Sequence, residues 1–225
     1  MRFSSINNLE LINCQLNQLQ DYALQGLPKL QHLSLAQNNI SEVKSWSNEP
    51  MKSLITLDLR RNAIVELNLK SFEKFPNLQR LNLAVNLIED IDDGIFRWMP
   101  HLKYLNLGKN RLQVIENRNF YGMNRLSYLY LHFNQISKIE SEAFKTNSHI
   151  RTLKLEGNKL SELEFLNSSQ WLRLMHLNLS HNALDSLDLM QFSRENELIS
   201  LDLSNNRLRQ LSRDSFAGLE ALEVG

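Results

Sequence analysis

The chain repeats one pattern of apolar positions. From Leu54 to Leu67 the sequence reads LITLDLRRNAIVEL, in which leucine or isoleucine alternates with variable residues around one fixed asparagine, Asn62. The same frame recurs 24 residues later, from Leu78 to Ile91. A fixed step of this length indicates a repeat protein, in which each repeat packs only against its neighbours.

The register holds along the whole chain without insertion or deletion. Leading apolar positions follow one another at a step of 24 residues: Ile6, Leu30, Leu54, Leu78, Leu102, Leu126, Ile150, Leu174, Leu198 and Leu222. The asparagine recurs in phase, with cysteine at the first place: Cys14, Asn38, Asn62, Asn86, Asn110, Asn134, Asn158, Asn182 and Asn206. The pattern predicts one elongated domain over residues 1–225, with about nine repeats.

These positions resemble the leucine-rich repeat family, in the 24-residue form of animal extracellular and receptor proteins. That form includes Toll-like receptor ectodomains and insect leucine-rich immune and adhesion proteins. The family pattern adds a phenylalanine ten residues after the asparagine, present here at Phe72, Phe96, Phe120, Phe144, Phe192 and Phe216. Leu24, Asn48 and Ser168 depart from it. Around the last two, Trp46 and Met51, or Phe165 and Trp171, could fill the back of the core.

Each repeat is predicted to contribute one short strand. In the x-L-x-L-x segment the leucines point to one side and the residues between them to the other, which is the period of a strand. Every repeat returns to the same start, so the strands form a parallel sheet with right-handed crossovers. The predicted fold is an α/β, right-handed leucine-rich-repeat solenoid, a horseshoe with this sheet on its concave face. At about 4.8 Å per strand, nine strands span roughly 40 Å.

The asparagine column is predicted to turn the chain away from the sheet. An asparagine amide both donates and accepts, so it can pair backbone groups that the turn leaves inside. Cys14 is predicted to be a buried thiol in place of the asparagine.

One cluster on the concave face differs from the small polar residues around it. Two adjacent repeats supply aromatic residues, with one cation on the strand at either side. We call this set the concave patch: Arg80, Tyr104, Tyr128, Tyr130, His132, Phe133 and Lys154. Tyrosine and arginine are enriched in binding hot spots, so the pattern predicts partner binding. The alternative is that the tyrosines stack on their strand neighbours only to stabilise the sheet.

Charge and motifs narrow the class of function. Lysine plus arginine equals aspartate plus glutamate at 25 each, so the overall charge favours neither nucleic acid nor an anionic membrane as a partner. The sequence has no phosphate-binding glycine loop, nucleophile elbow, H-E-x-x-H motif or paired C-x-x-C, and we expect neither an enzyme nor a cofactor. His176 and His181 could share one side of a repeat, but we expect surface residues there rather than a metal site.

Three N-x-[ST] sequons begin at Asn39, Asn167 and Asn178. Their number is what chance gives, so they neither establish nor exclude secretion. In an exported protein, Asn167 and Asn39 are the predicted glycan carriers, whereas a glycan on Asn178 would lie on the concave strand.

Both ends of the sequence fall inside a repeat and lack the capping cysteines usual in secreted family members, so we interpret it as a fragment. No apolar run suits a signal peptide or a membrane span. The resemblance implies an extracellular or cell-surface ectodomain for immune recognition or adhesion, which binds a protein ligand or co-receptor. The alternatives are a self-associating structural or matrix protein, with a homodimer among its forms, and a cytosolic adaptor.

Overall fold

The computed structural model describes residues 5–44, 46–167, 169–187, 196–211 and 215–222. A parallel sheet of nine strands runs along them, in chain order. Its strands are β1 (Asn8–Glu10), β2 (His32–Ser34), β3 (Thr56–Asp58), β4 (Arg80–Asn82), β5 (Tyr104–Asn106), β7 (Tyr128–Tyr130), β9 (Thr152–Lys154), β10 (His176–Asn178) and β11 (Ser200–Asp202). The predicted parallel-sheet solenoid is confirmed.

The register of the sheet equals the period of the sequence. Each residue pairs with the residue 24 positions further on, as Leu57 does with Leu81 and Leu81 with Leu105. The strand leucines are buried in β2 to β10 and partly buried in the outer strands β1 and β11, while Arg80 and Tyr104 remain exposed or half-buried on the opposite side. Equivalent side chains therefore form straight columns across the concave face.

The connecting segments contain little regular structure. A second parallel sheet joins β6 (Val114–Ile115) to β8 (Lys138–Ile139), which the sequence did not predict. Three short 3-10 helices cover Ile95–Trp98, Glu164–Leu166 and Ser169–Arg173. In the part of the chain that the structure describes, these are the only helices, so the helical half of the α/β class is reduced to single turns.

The predicted role of the asparagine column is confirmed. Asn110 Nδ2 donates to the carbonyl of Leu83 in the preceding repeat at 3.0 Å and to that of Leu107 in its own repeat at 2.9 Å. Its Oδ1 accepts from the backbone N–H of Ile88 at 3.1 Å. The other seven asparagines repeat this geometry, so each one ties its own turn to the turn before it.

The prediction of a buried thiol at Cys14 is wrong, because this side chain is exposed. Among the described residues, its Sγ hydrogen-bonds only to the carbonyl of Ile12, at 3.5 Å, whereas its backbone N–H donates to Asn38 Oδ1 at 2.9 Å. No described repeat packs on the far side of this turn, and a thiol offers one donor where the amide offers two.

Aromatic rings fill the back of the core. Phe72, Phe96, Phe120 and Phe144 are fully buried and stacked, with successive centroids 6.0, 6.3 and 5.5 Å apart. The column fails at Phe216, which is 43% exposed because no further described turn covers it. Phe192 lies outside the described residues.

The two predicted replacements in this aromatic column are confirmed. Trp46 is fully buried and packs 6.2 Å from the ring of Phe75, where the column has Asn48. Beyond Phe144, the rings of Phe165 and Trp171 lie 5.9 and 5.3 Å away and are buried. Ser168, the departure that they bridge, lies outside the described residues.

The residue before each asparagine of the column, and before Cys14, adopts a left-handed backbone conformation. This column has φ between 52° and 70° and contains Asn13, Gln37, Arg61, Val85, Lys109, Phe133, Gly157, His181 and Asn205. Valine is poorly suited to positive φ because its Cβ is branched, whereas asparagine tolerates it. The turn geometry thus imposes strain at Val85.

Replacement of Val85 by asparagine is therefore expected to raise the free energy of unfolding by about 0.5 to 1 kcal/mol. Chemical denaturation of the purified protein measures it. Val114→Asn is the matched control, because Val114 is equally exposed, at 40% against 39%, but lies in strand β6. A gain of equal size in both variants would contradict the explanation from φ.

Candidate functional site

The sheet register brings most of the concave patch into direct contact. The guanidinium of Arg80 lies over the ring of Tyr104, with Cζ 4.5 Å from the centroid. Tyr104 meets Tyr130 edge-on at 5.2 Å, and the ammonium of Lys154 lies 5.1 Å from the centroid of Tyr130. Two cations therefore rest on the faces of two tyrosines that contact each other, across strands β4 to β9.

The contacts continue into the turn that follows β7. The ring of Tyr130 packs 6.1 Å from that of His132, which in turn lies 5.8 Å from Phe133. Lys109, which the sequence interpretation left out of the site, places its Nζ 5.5 Å from the centroid of Phe133. The repeat itself could have indicated Lys109, because this residue stands 24 positions before Phe133 and so occupies the equivalent place in the preceding turn.

Two glycines make room for these rings. A Cβ at Gly108 would overlap the imidazole of His132, and a Cβ at Gly157 would overlap the ring of Phe133. His132 therefore lies over the preceding repeat and Phe133 over the following one. A side chain at either glycine would push its ring out of place.

Tyr128 belongs to the same face but stands slightly apart. It pairs with Tyr104 in the register and is 41% exposed. The ring contacts among the described residues do not include it. Tyr128 and Phe133, which is 50% exposed, are the most open aromatic surfaces of the patch.

The tyrosine hydroxyls remain protonated donors. Burial raises the pKa of Tyr104 and of Tyr130, although the hydrogen bond from Asn106 and the charge of Arg80 lower that of Tyr104 in part. Asn106 Nδ2 donates to the hydroxyl oxygen of Tyr104 at 3.2 Å, which leaves the hydroxyl hydrogen free for another acceptor.

Two polar atoms in this region are buried and have no hydrogen-bond partner among the described residues, His132 Nδ1 and Glu156 Oε2. Burial lowers the pKa of His132; the nearby carboxylate of Glu156 opposes this shift, while Lys154 and Lys109 add to it. His132 is therefore neutral at physiological pH. Glu156, like Lys109, was not among the residues predicted for this site.

The lowered pKa of His132 predicts a pH dependence of stability. The unfolded chain binds the proton more tightly than the folded chain, so the contribution is complete above the ordinary value of 6.5 and is lost as the pH falls below it. Thermal unfolding from about pH 7.5 to about pH 5 should show a larger loss for the parent than for His132→Gln. Equal losses would contradict the prediction.

The predicted glycosylation positions are open to solvent. Asn39 is exposed and its Nδ2 donates to Asn17 Oδ1 at 2.9 Å; Asn167 is exposed at the end of a 3-10 helix. Asn178 lies on β10, as predicted, and its Oδ1 accepts from the backbone N–H of Ser180 at 2.9 Å.

Within the described ranges, no three histidine, cysteine, aspartate or glutamate side chains come close enough together to bind a metal ion. His181 hydrogen-bonds Asn205 at 3.1 Å. No described helix has the length and apolar character needed to span a membrane.

One strand for every 24 residues, joined to its neighbours by an asparagine column, defines a repeat solenoid with an open parallel sheet. The pattern described as "Leucine rich repeat" matches residues 76–136, 125–176 and 172–224, and "Leucine Rich repeats (2 copies)" matches residues 52–94. The chain belongs to the leucine-rich repeat family, whose members generally act as interaction modules.

Solved structures share the fold at low sequence identity. A chain of the Toll–Spatzle complex of Drosophila superposes with a TM-score of 0.80 at 22% identity, over 98% of this chain and 33% of that one. An internalin from Listeria monocytogenes superposes with a TM-score of 0.75 at 22% identity, over 98% of this chain and 60% of that one. A chain of the TLR13–ssRNA13 complex superposes with a TM-score of 0.70 at 24% identity, over 93% of this chain and 38% of that one.

This chain thus spans between 33% and 60% of the length of those three chains. No curated protein matches its sequence significantly.

Proposed function

We propose that this chain is a non-enzymatic binding module that holds a protein ligand or co-receptor on its concave sheet, centred on the concave patch. The observation that carries the proposal is the unbroken series of contacts from Arg80 through Tyr104, Tyr130 and His132 to Phe133. Buried aromatic and arginine anchors dominate the energetics of protein interfaces. Here they stand on a face that other described residues leave open.

Phe133 supports the proposal independently. Its backbone has φ of 52°, a conformation in which a phenylalanine is strained, and half of its side chain is exposed. The neighbouring column members Arg61, Val85 and Lys109 show that the turn forms without an aromatic ring. Folding does not require a phenylalanine at this place, whereas binding would use its exposed surface.

We further propose that residues 1–225 form one domain of an extracellular or cell-surface ectodomain, with a role in recognition, immunity or adhesion. The structural likeness to a chain of the Toll–Spatzle complex supports this setting. In it, Asn39 and Asn167 would carry glycans, because both are exposed and lie in N-x-[ST] sequons. A protein partner is preferred to nucleic acid because the chain has no net charge.

Photocrosslinking tests the proposal directly. Benzoylphenylalanine is introduced in place of Tyr128 and, as a matched control, in place of Tyr121, which is 56% exposed but lies outside the sheet. The two variants are irradiated in contact with extracellular medium and cell surfaces, and adducts are identified by mass spectrometry. We expect one foreign polypeptide to form adducts at position 128 and not at 121.

Two results would contradict the proposal. Adducts of equal yield at both positions would show that the concave face has no special role. Adducts at position 128 only with other copies of this chain would favour the self-associating matrix protein or homodimer instead.

A further inference from the structure

Among the described residues, no salt bridge includes Arg80 or Lys154, the two cations of the concave patch, or Lys109 next to it. Each of the three instead lies over an aromatic ring, at 4.5, 5.5 and 5.1 Å from the ring centroid. This arrangement differs from Arg60 on the same side of the solenoid, which is paired with Asp58 at 3.3 Å.

The patch also offers more hydrogen-bond donors than acceptors. The guanidinium and the two ammonium groups can only donate, and the hydroxyl oxygen of Tyr104 is already occupied by Asn106. The hydroxyl of Tyr130 makes no hydrogen bond to a described residue and remains protonated at physiological pH, as does that of Tyr104. Such a surface is complementary to a group that only accepts hydrogen bonds, and a carboxylate is such a group.

Acidic residues limit the size of this positive region. Asp58 stands on β3, one strand beyond Arg80, and Asp202 stands on β11, two strands beyond Lys154. Glu156 lies two residues after Lys154 in sequence, and its carboxylate lies close enough to His132 to add negative charge to the patch. A long polyanion laid along the sheet would meet these carboxylates, whereas one or two carboxylates of a protein segment would fit between them.

We infer that the concave patch binds an acidic polypeptide segment, in which one or two aspartate or glutamate side chains lie among Arg80, Lys154 and Lys109, next to an apolar side chain that packs on Tyr128 and Phe133. This inference rests on the proposed function and specifies the chemistry of its partner. The cations are held on ring faces, so less side-chain freedom is lost when a carboxylate binds.

A selection from a library of random dodecapeptides displayed on phage tests the inference. The folded parent protein is the bait at physiological ionic strength, and we expect aspartate or glutamate beside leucine, phenylalanine or tryptophan in the selected peptides. Conversion of their carboxylates to amides should weaken binding to the parent by about tenfold. This arm does not depend on the folding of any protein variant.

Protein variants provide the second arm. Lys154→Gln should weaken binding of the selected peptides by about tenfold, whereas Lys154→Arg, which keeps the positive charge, should bind them like the parent. Arg60→Gln should change the affinity by less than about twofold, because that cation is already paired. Thermal unfolding of each variant shows whether it is folded.

Four results would overturn the inference. These are selected peptides without an acidic preference, no selected peptides, equal effects of Lys154→Gln and Arg60→Gln, and a single-stranded oligouridylate that binds more tightly than any peptide and depends on Lys154. If the benzoylphenylalanine adduct at position 128 nevertheless forms with a foreign protein, the proposed function stands and only the acidic chemistry fails.

Discussion

The Phe120→Ala variant is expected to lose about 3 to 5 kcal/mol of its free energy of unfolding. The ring of Phe120 is fully buried, between Phe96 at 6.3 Å and Phe144 at 5.5 Å. Both neighbours belong to adjacent turns and are fully buried, so neither can move far to fill the space. The cavity would interrupt the aromatic column at its centre and weaken two interfaces between repeats at once.

Phe216→Ala is the matched control, because it removes the same ring from the same column at a place where 43% of the side chain is exposed. Its expected cost is below about 1 kcal/mol. Urea denaturation followed by circular dichroism compares the two variants. Equal losses would show that burial of the ring between turns does not hold the back of the solenoid together.

The second large effect is expected on binding. The double variant Tyr128→Ala with Tyr130→Ala should abolish binding of the partner identified through position 128, because truncation of a hot-spot tyrosine costs about 2 kcal/mol or more. Tyr130 contacts Tyr104, His132 and Lys154, so its loss also releases the rings and the cation that it holds.

Leu129 provides the comparison within the same strand. It lies between the two tyrosines and is fully buried on the other face, so Leu129→Ala should cost about 2 to 5 kcal/mol of stability. The double tyrosine variant should lose less stability than this. Parental affinity in the double variant would refute the hot spot, and a loss of stability as large as that of Leu129→Ala would mean that the tyrosines serve the sheet.

Much of the fold was predictable because it depends on residue types that have few alternatives. Buried leucines at period two require a strand, and the fixed step of 24 residues requires equivalent strands to pair in register. The role of the asparagine column was equally predictable, since few side chains can both donate and accept hydrogen bonds on the two sides of a turn. Trp46 and Trp171 could be placed because only large apolar residues fill a gap left by phenylalanine.

Other features of the fold could not be predicted from residue types. The left-handed column contains glutamine, arginine, valine, lysine and phenylalanine, so residue type does not reveal its positive φ. Cys14 and Phe216 follow the repeat pattern but are exposed, because burial depends on a neighbouring turn on both sides and not on the local motif.

The arrangement of side chains in the candidate site was predictable in part for the same reasons. The register placed Arg80, Tyr104, Tyr130 and Lys154 side by side, and the structure shows them in contact. The register did not reveal that the ammonium of Lys109 lies over the ring of Phe133, or that His132 lies over Gly108. These contacts depend on the backbone conformation of the turn, which the sequence did not disclose.

The measurement that tests the central claim most directly is a lysine scan of exposed positions on both faces of the solenoid. Binding of the partner identified through position 128 and the amount of folded protein are read separately for every variant. We expect the variants that are folded but do not bind to cluster in the concave patch and its neighbouring columns. Such variants on the convex face alone, or binding losses only where folded protein is also lost, would contradict it.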